Sequence, residues 1–268
     1  MADNASDNSY NSNSFASFDV LEEGVRLLCQ NDSDIQHIIS PRKDEIIQLL
    51  CRYIAEIEAY NPSHSLVGTD DRMELIKRHI LDSLAPIGIF YRLLPENNDA
   101  ASQIADAGSG AGLPGIPLAI AMPHIQFTLI ERMKKRANFL RHIQKFLSLS
   151  NVKVVEEEME KFAHNLISKR PVGAAQFDLV TFRAFRPFEP RIIKGLFRLC
   201  AKNGVIAAYK GQRVKIEEEI TALQKYFSEQ ANGINASKLP FQLSECKVIP
   251  CPVPLLDGQR HVLIIRFI

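Results

Sequence analysis

The chain has 268 residues, of which 46% are hydrophobic and 24% are charged. These proportions are those of an ordinary globular protein, which excludes the fibrous and fully disordered classes. The 32 Lys and Arg residues nearly balance the 31 Asp and Glu residues and leave a net charge of +1. The overall field therefore attracts neither nucleic acid nor anionic lipid strongly, and a polyanionic partner must be met by a local basic surface.

Cysteine usage and the N-terminal segment restrict the cellular setting. The 5 cysteines are odd in number and lack C-x-x-C spacing, which argues against a disulfide framework and a zinc site. The segment MADNASDNSYNSNSF has no apolar stretch typical of a signal peptide. No apolar run reaches the roughly 18 residues that a membrane span needs. We therefore expect a cytoplasmic protein without a metal site or a membrane partner.

The chain divides into three segments. Residues 1–16 are rich in Asn, Ser and Asp, so we expect a disordered tail. In residues 17–95 apolar residues recur at three- and four-residue spacing, as in DEIIQLLCRYIAEI, which predicts a helical N-terminal cap. The polar stretch ENNDAAS marks the start of a second unit, residues 96–268.

Short apolar segments alternate with helical segments in the second unit. QIADA, QFTLIE, VKVVE, QFDLVTF and GVIAAYK each precede a helical pattern, which predicts a doubly wound α/β sheet that is mostly parallel. ECKVIP and RHVLIIRFI flank an Asp257-Gly258 turn signal and predict a final antiparallel pair. The expected fold is a Rossmann-like, seven-stranded sheet whose last strand is antiparallel.

The glycine-rich stretch DAGSGAGLPGIP, residues 106–117, follows the first predicted strand. Ligands of open parallel sheets bind at this turn, and Gly108, Gly110 and Gly112 allow a ligand to approach the backbone closely. A nicotinamide dinucleotide fits poorly, because Leu113 occupies the third glycine position counted from Gly108 and the Asp106 carboxylate would repel a pyrophosphate. S-adenosylmethionine (SAM) has no phosphate and carries an ammonium group that Asp106 can attract. The pattern therefore favours SAM.

Two further features follow the second predicted strand. Glu131 ends that strand, 23 positions after Gly108, where a carboxylate can accept the ribose hydroxyls of either cofactor. A basic segment comes next and can lie along RNA phosphates, although an ordinary solvated helix surface remains the alternative. Its cations are Arg132, Lys134, Lys135, Arg136, Arg141 and Lys145.

The stretch DAGSGAGLPGIPLAI resembles the glycine motif of the RsmG or GidB family, bacterial 16S rRNA guanine-N7 methyltransferases. NPSHSLVG, KRHILDSLAP, ERMKKRANFL, FRAF, YKGQ and LLDGQRHVLIIRF agree with the family in the same order. The resemblance implies a class I SAM-dependent methyltransferase that acts on 16S rRNA or the small ribosomal subunit. We expect it to act as a monomer.

The resemblance also implies site residues. Cofactor contacts are implied at Gly108, Leu113, Met159, Glu160 and Arg183. A second set is implied to gather at the cleft and bind RNA: Arg78, His79, Lys210, Arg260 and His261. The chain departs from the family at Phe182, where a serine is usual, and at Arg132, where a small residue is common.

The implied reaction needs no general base, because guanine N7 carries a free lone pair, and we assign no catalytic residue. The enzyme must hold the reacting atoms about 3–3.5 Å apart. Because the major groove of A-form RNA is too narrow for side chains, we expect an unpaired or extruded guanine, stacked on Phe185 or Phe188. The alternatives are a methyltransferase for a small molecule or a protein, and an RNA-binding protein whose SAM pocket is inactive because of Phe182.

Overall fold

A computed structural model of the chain describes residues 7–95, 102–168, 177–183, 190–232 and 243–267. Its N-terminal part is helical. The helices are α1 (Asp7–Asn31), α2 (Ser33–Ile39), α3 (Lys43–His64), α4 (Arg72–Leu75), α5 (Asp82–Leu84) and α6 (Ile87–Leu93). A 3₁₀ turn covers Ser40–Arg42, and a π-helical segment covers Ile76–Leu81. We call this part the cap.

α1 begins at Asp7, within the segment 1–16 for which we predicted disorder. Residues 1–6 lie outside the described part, and the disordered tail stays a prediction. The buried Leu21, Val25 and Leu28 anchor the C-terminal half of α1. Once a helix is nucleated, each added residue gains a hydrogen bond, so the helix extends into the polar sequence. Residues 96–101 are not described, and the boundary between cap and second unit stays a prediction.

The second part contains a seven-stranded sheet in the order β3-β2-β1-β4-β5-β7-β6. Its strands are β1 (Gln103–Ala107), β2 (Gln126–Glu131), β3 (Val152–Glu156), β4 (Phe177–Phe182), β5 (Cys200–Lys210), β6 (Leu243–Pro250) and β7 (His261–Phe267). Strands β1 to β5 are parallel, and β7 is antiparallel to both of its neighbours. The predicted α/β class, the mostly parallel sheet and the antiparallel end are confirmed.

Helices connect the strands and cover both faces of the sheet. They are α7 (Gly115–Ala121), α8 (Lys134–Phe146), α9 (Met159–Ser168), α10 (Pro190–Leu199) and α11 (Arg213–Asn232). One buried apolar cluster joins the cap, α7 and α8 to one face of the sheet, and a second lies under α9, α10 and α11 on the other face. The cap is therefore part of the main core, packed on the same side as α7 and α8.

The strand order reverses beside β1, which lies between β2 and β4. In an open parallel sheet such a reversal opens a crevice at the carboxyl ends of the strands. Asp106 pairs in register with Leu129 on β2 and with Thr181 on β4. The glycine-rich stretch therefore begins at the crevice. No helix within the described ranges is long and apolar enough to cross a membrane.

Candidate functional site

Asp106 forms the floor of the glycine loop, which we define as residues 108–114. Its side chain is fully buried, and its Oδ2 accepts hydrogen bonds from the Ser109 hydroxyl (2.6 Å) and from the Gly115 amide (3.0 Å). Its Oδ1 is also buried and has no partner among the described residues. Burial raises the pKa of Asp106 to about 6, so the carboxyl group is mostly ionised at neutral pH. An unpaired buried carboxylate oxygen next to the loop fits a ligand that brings a hydrogen-bond donor or a positive charge.

Glu131 holds the loop from the neighbouring strand. Its Oε2 accepts the amide of Gly110 (2.9 Å), and its Oε1 accepts the amide of Met133 (2.7 Å). The sequence predicted Glu131 as a ribose acceptor but gave no sign of this bond to the loop. An ionised carboxylate has about four acceptor positions, so Glu131 can hold Gly110 and still accept ribose hydroxyls.

The loop glycines serve different purposes. All three of Gly108, Gly110 and Gly112 have positive φ, with values of 74°, 60° and 97°. A Cβ on Gly110 would meet only the Gly108 carbonyl at 4.0 Å, so this position faces open space. A Cβ on Gly112 would instead lie 2.5 Å from Ile116 Cγ1. Gly110 therefore leaves room for a ligand, whereas Gly112 is required by internal packing. Leu113 is buried.

A cleft of about 510 Å³ lies between the cap and the carboxyl end of β5. All of the residues that the resemblance implied to gather at a cleft line this one: Arg78, His79, Lys210, Arg260 and His261. Arg183, Asp82, Thr69 and Tyr209 also line it. The structure thus brings these five residues together from three separate parts of the chain, although contact with RNA stays a prediction.

Arg183 lies in the wall of the cleft and binds the cap. It follows β4, and its Nη1 donates to the carbonyl oxygen of Arg78 (3.1 Å) and to Oδ2 of Asp82 (3.1 Å). Its charge also acts on Asp106, whose pKa it lowers against the effect of burial. We expected Arg183 to contact the cofactor; its hydrogen bonds in the structure are with the cap.

Two histidines in the cleft have defined hydrogen bonds. His79 Nδ1 lies 2.9 Å from Arg183 Nη2, and because arginine only donates, this nitrogen is the acceptor. Burial, and then the charge of Arg183, lower the pKa of His79 to about 4, so the ring is neutral at physiological pH. His261 Nδ1 lies 2.7 Å from the carbonyl oxygen of Gly211 and donates to it.

Asp82 is a cleft residue that the sequence analysis did not identify as functional. Only 6% of it is exposed, and its two carboxylate oxygens bind different arginines. Arg183 Nη1 lies 3.1 Å from Oδ2, and Arg260 Nε lies 3.2 Å from Oδ1. The available signal was an acidic residue inside an otherwise apolar helical stretch, ILDSLAPI.

Asn61 is a second residue that was missed, and it shapes the cleft wall. Its Oδ1 accepts the amides of Leu66 and Val67, each at 2.9 Å. Its Nδ2 donates to the carbonyl oxygen of Thr69 at 3.2 Å. Asn61 therefore fixes the turn after α3 and with it the position of Thr69 in the cleft.

The structure places Met159 and Glu160 against α10. Met159 is buried, and a Cβ on Gly195 would lie 2.9 Å from its sulfur and 3.2 Å from Cγ of Glu160. These contacts do not involve the glycine loop, so the implied cofactor contacts of both residues stay predictions. Phe182 is buried in the second apolar cluster, and Phe185 and Phe188 lie outside the described residues.

The predicted basic segment spans the start and body of α8. Arg141 pairs with Glu156 (2.8 Å), and Arg136 donates to the carbonyl oxygen of Ser65 (2.8 Å). The side chains of Arg132, Lys134 and Lys135 are exposed, and no described residue forms an ion pair with them. Three cations of this segment are therefore available at the surface near the end of β2.

The glycine loop can bind a cationic ligand, and the cleft can bind an anionic one. Asp106 and Glu131 supply acceptor oxygens at the loop, and Arg78, Arg183 and Arg260 supply donors in the cleft. Within the described ranges, no group of three or more His, Cys, Asp or Glu side chains is arranged to hold a metal ion.

The chain has clear relatives. Residues 46–247 match the GidB family, described as rRNA small subunit methyltransferase G. The ribosomal RNA small subunit methyltransferase G of Treponema denticola is 32% identical over 92% of this chain and 96% of its own length. The protein of the same name from Treponema pallidum is 35% identical over 81% of this chain and 84% of its own length.

Among solved structures, the human methyltransferase 10 domain containing protein shares 13% identity at a TM-score of 0.51. The match covers 80% of this chain and 93% of the human one. At this identity the likeness shows the fold alone. The family match and the two sequence relatives, in contrast, show the family of this chain. They agree with the expectation drawn from the sequence motifs. The chain therefore belongs to the GidB family of rRNA small subunit methyltransferase G proteins, as its glycine loop and its RHILDS and DGQRH segments predict.

Proposed function

We propose that the chain transfers a methyl group from SAM to N7 of a guanine in 16S rRNA. The family membership supports a small-subunit rRNA substrate. The observation that carries the proposal is the position of Arg183, which lines the cleft and follows by two residues Thr181, the β4 residue that pairs in register with Asp106. A site for a cationic donor and a site for an anionic acceptor therefore lie at the neighbouring ends of β1 and β4.

The loop fits SAM on two observations. Oδ1 of Asp106 is buried without a partner, and the position of Gly110 leaves open space beside the loop. Asp106 would hold the ammonium group, and Glu131 would accept the ribose hydroxyls while keeping Gly110 in place. SAM, when bound, supplies the electrophilic methyl group. A pyrophosphate is disfavoured because the two carboxylates, both buried, would repel it.

The cleft residues suit the other substrate. Arg78, Arg183 and Arg260 can bind phosphate oxygens, which guanidinium groups do with paired hydrogen bonds. Guanine N7 has a free lone pair, so the residues need only position the base and exclude water. His79 is neutral near pH 7 and therefore adds no positive charge beside a base that becomes cationic. We propose an unpaired guanine as the target, because the major-groove edge of A-form RNA is inaccessible to side chains.

The direct test is methyl transfer by the purified protein. It would be incubated with methyl-labelled SAM and either naked 16S rRNA, intact small ribosomal subunits or an unrelated structured RNA, and N7-methylguanine would be mapped by mass spectrometry. We expect one modified guanine in 16S rRNA or the subunit and none in the control RNA. Binding of NADH with no binding of SAM, or methylation of small molecules alone, contradicts the proposal.

We further propose that the chain acts in the cytoplasm, where ribosomes assemble, and that it acts as a monomer. Light scattering of the purified protein would test the oligomeric state.

A further inference from the structure

Asp82, which is buried, and the two partly buried arginines that it binds form a charged group in the wall of the cleft, which we call the Asp82 group (Asp82, Arg183 and Arg260). The three residues come from three elements: α5 in the cap, the end of β4, and the connection that precedes β7. The side chains of Asp82 and Arg183 are 9% and 14% exposed, and that of Arg260 is 28% exposed. The group therefore joins the cap to the sheet at the cleft.

The geometry leaves donors free in the cleft. Arg260 uses Nε for Asp82 and Nη1 for the carbonyl oxygen of Gln259, and its Nη2 has no partner among the described residues. A guanidinium group has five donors in a fixed plane, so fixing Nε also fixes the direction of Nη2. Two guanidinium groups and one carboxylate leave a net positive charge in the group.

We propose that Asp82 is a positioning residue: it holds Arg183 against the cap and orients Arg260 so that the free Nη2 of Arg260 binds a phosphate of the target nucleotide. The proposal rests on the proposed function, because it assigns the anion to RNA. A carboxylate shared by two arginines reduces their mutual repulsion and holds both planes in place before RNA arrives. Such pre-organisation lowers the cost of fixing flexible side chains on binding.

The test is a double-mutant cycle with Asp82→Asn and Arg260→Gln, measured as kcat/KM for 16S rRNA and as the dissociation constant of SAM. We expect each single substitution to lower kcat/KM about 10- to 100-fold, since truncation of a buried charged pair is costly. Because Asp82 acts through the arginines, the double variant should be little worse than the poorer single variant. SAM affinity should change less than about threefold in Arg260→Gln, because Arg260 bonds to Asp82 and Gln259 and not to the glycine loop.

Asp32→Asn is the matched control. Asp32 is a cap carboxylate that also binds an arginine, Arg92 (3.2 Å), but it does not line the cleft. This variant should keep wild-type kinetics with rRNA. Independent, multiplicative losses in the double variant, or an equal loss of SAM affinity, overturn the positioning role.

If Asp82→Asn does not fold, Arg260→Lys provides a second test. Arg260→Lys keeps the positive charge but lacks the planar group that Asp82 orients. We expect it to lose nearly as much kcat/KM as Arg260→Gln, and near-wild-type activity contradicts the proposal. If the wild-type protein does not methylate 16S rRNA at all, the proposed function fails first, so the two failures are distinguishable.

Discussion

The hydroxyl group of Tyr53 donates a 2.6 Å hydrogen bond to the carbonyl oxygen of Ala111. Tyr53 belongs to α3 and is fully buried, whereas Ala111 lies in the glycine loop. Burial raises the pKa of the Tyr53 phenol, so it stays a donor at every physiological pH. The cap therefore fixes the glycine loop through Tyr53, and β2 fixes it through Glu131.

Tyr53→Phe tests this contact, because it removes the hydroxyl group and keeps the ring. A buried carbonyl left without a partner costs about 1–3 kcal/mol. We expect the free energy of unfolding to fall by about 1–2 kcal/mol and SAM to bind several-fold more weakly, because the loop loses one of its supports. Calorimetry with SAM and thermal unfolding measure the two effects.

Tyr209→Phe is the control for Tyr53→Phe. The Tyr209 hydroxyl also bonds to a carbonyl oxygen of the cap, that of Ser83 at 2.8 Å, but it does not contact the glycine loop. This variant should lose a similar amount of stability and keep its SAM dissociation constant. Equal effects of both variants on SAM binding would show that the Tyr53 contact is only structural.

The raised pKa of Asp106 predicts that SAM binding depends on pH. Its pKa in the folded protein is raised to about 6 by burial, so the carboxylate that attracts the ammonium group is present above this pH and is lost as the pH falls through it. We expect the SAM dissociation constant to be flat from pH 7 to 8 and to rise up to about tenfold per pH unit below 6. Isothermal calorimetry across this range measures the profile.

Asp106→Asn should remove this pH dependence. The amide keeps the size of the side chain and an acceptor for Ser109 and Gly115, but it has no charge at any pH. We expect SAM affinity at pH 7.5 to fall by at least about tenfold, which corresponds to the loss of one charge-assisted hydrogen bond. A variant that retained the wild-type profile would assign the pH dependence to another group.

Much of the fold could be predicted because its signals are local. The alternation of QIADA, QFTLIE and VKVVE with helical segments requires only neighbouring residues, and β1, β2 and β3 have the predicted bounds. The acid-glycine order of the loop and the acid at the end of the second strand are equally local signals, and the structure brings Asp106 and Glu131 to the loop; their contacts with a cofactor stay predictions. The disorder predicted for residues 1–16 rests on composition, which describes the cost of ordering a free segment and does not include an adjoining helix that can extend into it.

The cleft interior could not be predicted, because its contacts are distant in sequence. Asp82 is separated by 101 positions from Arg183 and by 178 positions from Arg260. Pairing at such distances depends on how the cap packs on the sheet, which no local pattern specifies. The hydrogen bond from the Gly110 amide to Glu131 could not be predicted either, because it joins two residues that are 21 positions apart.

Gly110 and Gly112 allow a matched pair of substitutions. Gly112→Ala places a Cβ 2.5 Å from Ile116 Cγ1 and 3.0 Å from the Tyr53 hydroxyl, at a φ of +97°, so the protein should lose much of its stability. Gly110→Ala meets no close atom and costs only about 1–2 kcal/mol for its left-handed backbone. We expect Gly110→Ala to fold but to bind SAM weakly, because the new methyl group occupies the open side of the loop. Thermal unfolding of both variants measures the effect on packing, and calorimetry with SAM measures the effect on ligand binding. Strong SAM binding by Gly110→Ala contradicts a close approach of the ligand.

The exposed cations beside α8 predict how RNA binding depends on salt. Replacing Arg132, Lys134 and Lys135 with alanine removes three charges that have no ion-pair partner among the described residues, so the fold should be little affected. Each cation that contacts a phosphate contributes about 0.7–0.9 to the slope of log affinity against log salt concentration, so the slope should become shallower by about 2–3. The control is alanine at Lys202, Lys225 and Lys247, which are also exposed and do not line the cleft. Filter binding to 16S rRNA at several salt concentrations measures the slope for each triple variant.

If both triple variants have the same slope as the wild type, α8 presents a solvated surface and RNA binding depends on the cleft alone.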